Sequence, residues 1–330
     1  MNIMARAVKI EGKGGVDVLA LGELSVPAPG PSELLVEVAA AGLNRADLLQ
    51  RMGFYPAPPG VPSDVPGLEY AGTVSAVGDT VNDFRLGDHV MGIVGGGAMA
   101  THLTVHAREA IPVPVGMSLT DAAAIPEVFL TAYDGLTRQG GMAMGEVALI
   151  HAAGSGIGTA AIQLAREAGA RAFGTARSAG KLERCQELGM DGGIHVQEGK
   201  FAEALVKATD GRAADVILDT VGAAYLAENV AAVATGGTIV VIGLLGGAKG
   251  ELALGTLLAK RARIVGSVLR SRPLEEKAAL SQDFIKHVLP GLKARRLRPV
   301  VDRIIPMSDI REAHRYMASN ESFGKIVLAW

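Results

Sequence analysis

Apolar residues follow two different rhythms along this chain of 330 residues. As far as about residue 125 they form short runs closed by turn residues, as in Leu34-Leu35-Val36-Glu37-Val38 after Pro29-Gly30-Pro31, and Ala71 to Val77 before Gly78-Asp79. Such runs between turn clusters predict strands, and their succession predicts an antiparallel, barrel-like unit. The stretch from Phe54 to Pro62 carries Pro56, Pro58, Pro59 and Pro62. Missing N–H groups and fixed φ angles exclude helix and central strand there, so an extended surface loop is expected, a common border of a site.

From Glu146 the rhythm changes. Val147-Ala148-Leu149-Ile150-His151 reads as a buried strand, a Gly-rich turn follows, and helical spacing runs from Thr159 to Ala168 with Gly169 as its stop. The alternation continues with a strand from Ala170 to Thr175, a helix from Lys181 to Leu188, and strands from Ala214 to Leu218 and Thr238 to Ile242. Strands alternating with helices predict a parallel sheet covered by helices. After Ile264-Val265-Gly266-Ser267 come a helical stretch from Glu275 to Leu292, a strand from Val301 to Ile305, a helix from Ser308 to Ala318 and a closing strand from Ile326 to Ala329. The expected fold class is α/β.

Composition narrows the function. Apolar residues make up 49% and charged residues 20%, with Lys+Arg 32 against Asp+Glu 34 and a formal charge of -2. This is a globular chain without general electrostatic attraction for nucleic acid or anionic membranes. The 43 glycines are scattered, which implies many tight turns. The single cysteine, Cys185, excludes an intramolecular disulfide and a multi-thiolate zinc cage. The N-terminus shows no leader-like apolar run, and charges interrupt every apolar run well short of ~18 residues. A cytoplasmic protein with no membrane or nucleic-acid partner is expected.

The turn after His151 reads Ala152-Ala153-Gly154-Ser155-Gly156-Ile157-Gly158 and opens directly into a helix. Small residues let the backbone approach a pyrophosphate, and the free N–H groups and dipole of a helix N-terminus stabilise the anion, so Ser155, Gly156 and Ile157 are expected to bind a dinucleotide. The strict G-x-G-x-x-G pattern is absent: aligned on Gly158, its first two glycine positions hold Ala153 and Ser155. The alternative is a turn that only packs the helix on the sheet. The acid that takes a ribose 2′-hydroxyl about 20 residues beyond such glycines is also absent from Arg171 to Gly180. Thr175, Arg177 and Lys181 stand there instead and suit a 2′-phosphate, so NADPH is expected over NADH, unless the two cations are ordinary surface charges.

Several segments together resemble the medium-chain dehydrogenase/reductase superfamily, in its zinc-free quinone oxidoreductase branch, which includes zeta-crystallin. They are Ala40 to Asp47, Pro66-Gly67-Leu68-Glu69-Tyr70-Ala71-Gly72, Gly87-Asp88-His89-Val90, Ala122 to Ala132, the turn at 152 to 159, and Gly324-Lys325-Ile326-Val327. The resemblance covers essentially the whole chain. Asn44 to Tyr55, Ala124-Ile125-Pro126-Glu127 and Ser267 to Arg272 look closest to the tumour-suppressor-inducible quinone oxidoreductase and its bacterial relatives. The resemblance implies a GroES-like β-barrel catalytic domain, residues 1–125 completed by about 266–330, plus a Rossmann NADPH-binding domain at 126–265 with a doubly wound parallel sheet. The active cleft is implied between the two. One departure is Val196, where relatives often have a Tyr beside the adenosine phosphate.

Zinc-dependent relatives place a Cys where Asn44 stands and a His where Leu68 stands, so no metal is expected. Without a Lewis acid, dehydrogenation of simple alcohols is disfavoured and reduction of an electron-poor acceptor is favoured. The resemblance implies an NADPH-dependent quinone reductase, with Asn44 and Thr131 at the nicotinamide end and Gly243, Leu244, Leu269 and Arg270 closing over it. Tyr55 is expected to contact the quinone, by stacking or by donating its phenol to the developing oxyanion. Tyr55 alternatively packs on Pro56 and Pro58, and Asn44 alternatively caps the following helix. The competing functions are reduction of α,β-unsaturated carbonyls and a structural or RNA-binding role. Only 4% aromatic residues give RNA stacking little support. His151, His89 and Asp219 are expected to be structural. A homodimer is expected, because Rossmann domains of this family often pair by their edge strands.

Overall fold

A computed structural model describes residues 2–330. The chain divides into two units: residues up to Glu127 with Leu269–Arg295 and Pro299–Trp330, and Val128–Val268 with Arg296–Arg298. In the first unit, β1 (Ile3–Ile10) and β2 (Leu19–Val26) form an antiparallel hairpin. β3 (Glu33–Leu43) is followed by α1 (Arg45–Met52), β4 (Glu69–Val77), β5 (His89–Ile93), β6 (His102–His106), β7 (Ile111–Pro112) and α2 (Leu119–Ala122). The division falls within α3 (Pro126–Tyr133).

The second unit alternates strand and helix: β8 (Val147–Ile150), α4 (Gly156–Glu167), β9 (Arg171–Ala176), α5 (Ala179–Gln186), β10 (Gly192–His195), α6 (Ala202–Ala208), β11 (Ala214–Asp219), α7 (Leu226–Ala232), β12 (Val233–Val241), α8 (Leu254–Lys260) and β13 (Arg263–Gly266). The six strands are all parallel in the order β10-β9-β8-β11-β12-β13. This is the doubly wound dinucleotide-binding order, which reverses between β8 and β11 and places ligands at the carboxyl ends of the strands there. Val147, Leu149, Phe173, Ile217 and Ile239 fill one side of the sheet.

The chain returns to the first unit through α9 (Leu274–His287), α10 (Leu289–Lys293), β14 (Val301–Pro306), α11 (Ile310–Ser319) and β15 (Lys325–Ala329). The resulting sheet has the order β14-β15-β3-β4-β5-β7, with β6 on β3. β15 pairs antiparallel with the end of β3, Ile326 opposite Leu43, so the last strand completes a sheet begun by β3. Alternate positions Leu34, Val36 and Val38 point into its core with Tyr70, Val74 and Leu328.

The sequence pattern missed β10, α6, α7 and α8, and started α4 at Thr159 rather than Gly156. The glycines that look like turn belong to the helix itself. A Cβ at Gly158 would strike the Ala153 carbonyl and lie 2.6 Å from the Ala152 oxygen, so close approach, not propensity, dictates glycine in this first turn.

Candidate active site

In the second unit the β8 strand delivers the chain into the turn at the switch point. Ala152 adopts φ 50°, and Ser155 caps α4, its Oγ accepting the Gly158 N–H at 3.1 Å. The Gly156 and Ile157 N–H groups, in the same first turn, have no intrahelical acceptor, which leaves them for an anion. Gly174 on β9 lies under the turn, where a Cβ would come within 2.6 Å of Ala153 Cβ. These features fit the pyrophosphate of a dinucleotide.

Beneath the turn runs a buried hydrogen-bond chain. Asn229 Nδ2 donates to Asp219 Oδ2 at 3.0 Å, so its Oδ1 accepts from His151 Nε2 at 2.6 Å, and His151 Nδ1 accepts the Thr175 hydroxyl at 2.8 Å. Desolvation lowers the His151 pKa to about 4, which keeps the ring neutral as this chain requires. Asp219 Oδ1 takes the Val221 and Gly222 N–H groups and orders the turn after β11. Thr175 is therefore committed inward. It supports the turn from below, whereas Arg177 is exposed just past the end of β9 and Lys181 stands on the first turn of α5.

Gly243 and Leu244 follow β12. A Cβ on Gly243 would come within 2.8 Å of the Thr220 carbonyl, so the loops after β11 and β12 meet backbone to backbone, with Leu244 exposed. The hydroxyls of Thr131 and Thr220 are buried with no hydrogen-bond partner, an expensive state unless a ligand satisfies them. Thr220 carried no signal in the sequence.

The first unit builds a second cluster. Glu69, fully buried on β4, accepts Asn44 Nδ2 at 2.9 Å and Lys325 Nζ at 2.6 Å on Oε1, and the Glu127 N–H at 2.8 Å on Oε2. Lys325 Nζ also donates to the Leu43 carbonyl and to Asn44 Oδ1, each at 2.8 Å. Gly42 makes the space: a Cβ there would lie 2.6 Å from Glu69 Cδ. Asn44 precedes α1, where its N–H donates to Asp47 Oδ2 at 2.8 Å, but its side chain is spent on Glu69, Gly42 and Lys325. Asn44 thus stands as the N-cap residue of α1 while its side chain braces a charged cluster.

Asp47, buried on α1, accepts the Asn44 and Gly67 N–H groups, yet desolvation still raises its pKa to about 6. Burial, and then the Glu69 carboxylate, push Glu127 up to about 8. Arg270 donates Nε to the Gly95 carbonyl at 2.7 Å, Nη1 to the Tyr55 carbonyl at 3.1 Å, and Nη2 to Gln50 Oε1 at 2.6 Å. Its guanidinium also lies 4.8 Å from the centre of the Tyr55 ring. Arg270 therefore pins the proline-rich loop and Tyr55, with Leu269 buried beside it. Burial raises the Tyr55 phenol above its ordinary value, so it stays protonated.

Comparison with known proteins identifies the family. The alcohol dehydrogenase GroES-like domain model matches residues 30–115, and the zinc-binding dehydrogenase model matches residues 156–284. The rat (Rattus norvegicus) synaptic vesicle membrane protein VAT-1 homolog is 32% identical over 98% of this chain and 83% of its own. The chain belongs to the medium-chain dehydrogenase/reductase superfamily, in its quinone oxidoreductase-like branch. Among solved structures of this superfamily, a quinone oxidoreductase from Pseudomonas syringae pv. Tomato DC3000 superposes with TM-score 0.88 at 28% identity, covering 99% of this chain and 100% of that one. The CurK enoyl reductase superposes with TM-score 0.87 at 30% identity, covering 98% and 99%. The chain spans about 15% of the length of a phenolphthiocerol/phthiocerol polyketide synthase from Mycobacterium tuberculosis, to which it is 30% identical.

The zinc that the second family description implies does not fit here. Where the zinc-dependent members of the superfamily hold thiolate and imidazole, this chain has the Asn44 amide and Leu68, and the neighbouring Glu69 is already neutralised by an ammonium. Glu69, Lys325 and Glu127 all stood inside motifs quoted from the sequence, without a role. Their signal was charge within apolar runs, Lys325 directly before Ile326-Val327-Leu328.

Proposed function

We propose that the protein is an NADPH-dependent quinone reductase that works without zinc. The observation that carries this reading is the ion pair of Lys325 with Glu69 in the place where a metal dehydrogenase needs its Lewis acid. An alcohol then has no group to turn it into an alkoxide, whereas a quinone delocalises the charge it receives and needs chiefly positioning. When bound, the nicotinamide supplies the hydride. In this reading Ser155, Gly156 and Ile157 hold the pyrophosphate, Thr131 and Asn44 serve the nicotinamide end, and Gly243, Leu244 and Leu269 border it. Arg177 and Lys181 receive the 2′-phosphate, with Thr175 as support. Arg270 acts by positioning, and Tyr55 contacts the acceptor by its ring face or its phenol.

The likeness to the CurK enoyl reductase favours a second acceptor class, α,β-unsaturated carbonyls, which accept hydride by the same electronic demand. Steady-state oxidation of NADPH by a quinone panel and an enone panel separates the two, and turnover confined to enones replaces the first reading by the second. A homodimer formed through β13 is part of the same proposal. This edge strand exposes Ile264, and Leu254, Leu258 and Val268 beside it are 67%, 79% and 48% exposed. No helix among the described residues is long and apolar enough to cross a membrane. Cytoplasmic residence agrees with the lone thiol of Cys185, which burial pushes up to about 12 and leaves inert.

A further inference from the structure

Three carboxyl groups, Asp47, Glu69 and Glu127, share the first-unit cluster with two cations, Lys325 and Arg270. Full ionisation leaves one negative charge in excess in a poorly solvated place, so the cluster is neutral when one carboxyl keeps its proton. The hydrogen bonds decide which. Glu69 accepts from Lys325, Asn44 and the Glu127 N–H, and Asp47 accepts two backbone N–H groups. Donors of this kind hold the ionised form. Among the described residues, none donates to the Glu127 carboxyl, although its own N–H is fixed on Glu69. Glu127 is also the member that keeps a partial opening to solvent, whereas Asp47 and Glu69 are completely buried.

We infer that Glu127 is the acid that protonates the reduced acceptor. The inference rests on the reductase reading above. A hydride, two electrons with one hydrogen, passes from a reduced nicotinamide to one carbonyl oxygen of the quinone and forms its O–H bond, the ring π electrons shift so that the second carbonyl becomes a phenolate oxyanion, and the nicotinamide is left oxidised. The Glu127 O–H bond then breaks, its proton goes to that oxyanion to give the hydroquinone, and the remaining carboxylate recovers a proton from water through its solvent opening. Tyr55, which feels the Glu127 charge, is the weaker acid of the two because burial raises its phenol above the ordinary phenolic value. It orients the oxygen while Glu127, near 8, gives up the proton. Glu69, Asp47, Lys325, Arg270 and Tyr55 are the charged or titratable groups around Glu127, and the first four also set its proton affinity through the cluster balance.

Glu127→Gln keeps the shape and removes the acid. Infrared difference spectra against the wild type, without cofactor, are expected to show a protonated-carboxyl band near pH 7 that fades as the pH rises through about 8 and is absent from the variant. With NADPH and a quinone, kcat of the variant is expected to fall about a hundredfold. Its pH profile should lose the decline above about pH 8, Glu127→Asp should recover part of the rate, and the NADPH Kd should stay within about twofold. A Glu127 band already lost near pH 7, or a variant with the wild-type rate and pH profile, overturns the assignment. A wild type that oxidises NADPH with neither quinone nor enone overturns the reductase reading and the donor role with it, and the infrared band still tells that failure apart from a wrongly placed proton.

Discussion

Lys325 Nζ and Glu69 Oε1 lie 2.6 Å apart with their side chains 4% and 0% exposed. The members of their cluster are far apart in the chain, yet they lie where β15 pairs with β3 and β3 pairs with β4. Breaking one side of such a pair leaves an uncompensated buried charge, at a cost of about 3–5 kcal/mol. Lys325→Met is therefore expected to lower the urea unfolding free energy by that amount. The double variant with Glu69→Gln should recover most of the loss. A loss below about 1 kcal/mol in the single variant would show that the pair does not hold the β15 strand in place.

Burial governs the acid limb of stability. His314 on α11 is completely buried, its two nitrogens have no hydrogen-bond partner, and desolvation lowers its pKa to about 3, as it lowers His151 to about 4. A folded pKa below the unfolded value of about 6.5 means that the stabilisation is complete above pH 6.5 and declines as the pH falls, by about 3 kcal/mol per histidine near pH 4. His314→Leu should leave stability at pH 7 no lower and reduce the loss between about pH 7 and pH 4 by about 3 kcal/mol. Urea titrations at the two pH values check this.

Glu127 acts in the opposite sense. Its folded pKa, near 8, lies above the ordinary carboxyl value, so its contribution is complete below about pH 4 and is lost as the pH climbs through 8. Against the wild type, Glu127→Gln is expected to gain about 1–2 kcal/mol at about pH 9 relative to its difference at about pH 6, after allowance for partial solvent screening. Thermal unfolding at both pH values reads the difference, and a constant offset would contradict it.

Much of the fold was legible because it repeats a physical pattern. Val147-Ala148-Leu149-Ile150 has no polar residue to interrupt a buried strand, and Gly169 and Gly189, just past α4 and α5, mark the period. The missed β10 begins with Gly192-Gly193, which lack the side chains that signal a strand. The turn from Ala152 to Gly158 between strand and helix is local and could be read. The acid cluster is not: Glu69 is 25 residues from Asn44, 58 from Glu127 and 256 from Lys325, so no spacing rule connects them. Thr175 and Asn44 were visible as polar residues in the right segments, but the direction of each side chain depends on partners, His151 and Lys325, that only the folded sheet supplies.

The turn itself can be tested by one methyl group. Gly158→Ala places a Cβ against the Ala153 carbonyl, so the backbone must move. A loss of about 1–3 kcal/mol in stability and at least a tenfold weaker dinucleotide affinity are expected. Retained affinity in calorimetric titration would show that the turn does not carry the pyrophosphate.

Reduction of an electron-poor acceptor by NADPH is tested most directly by following nucleotide oxidation with purified protein. NADPH and NADH are each supplied with a quinone, and the reverse arm offers simple alcohols with NADP⁺ or NAD⁺. We expect turnover with the quinone, faster with NADPH than with NADH, with Arg177→Ala narrowing that preference, and no alcohol oxidation. Alcohol oxidation in metal-free buffer, or no nucleotide oxidation with any acceptor, would contradict a zinc-free NADPH reductase.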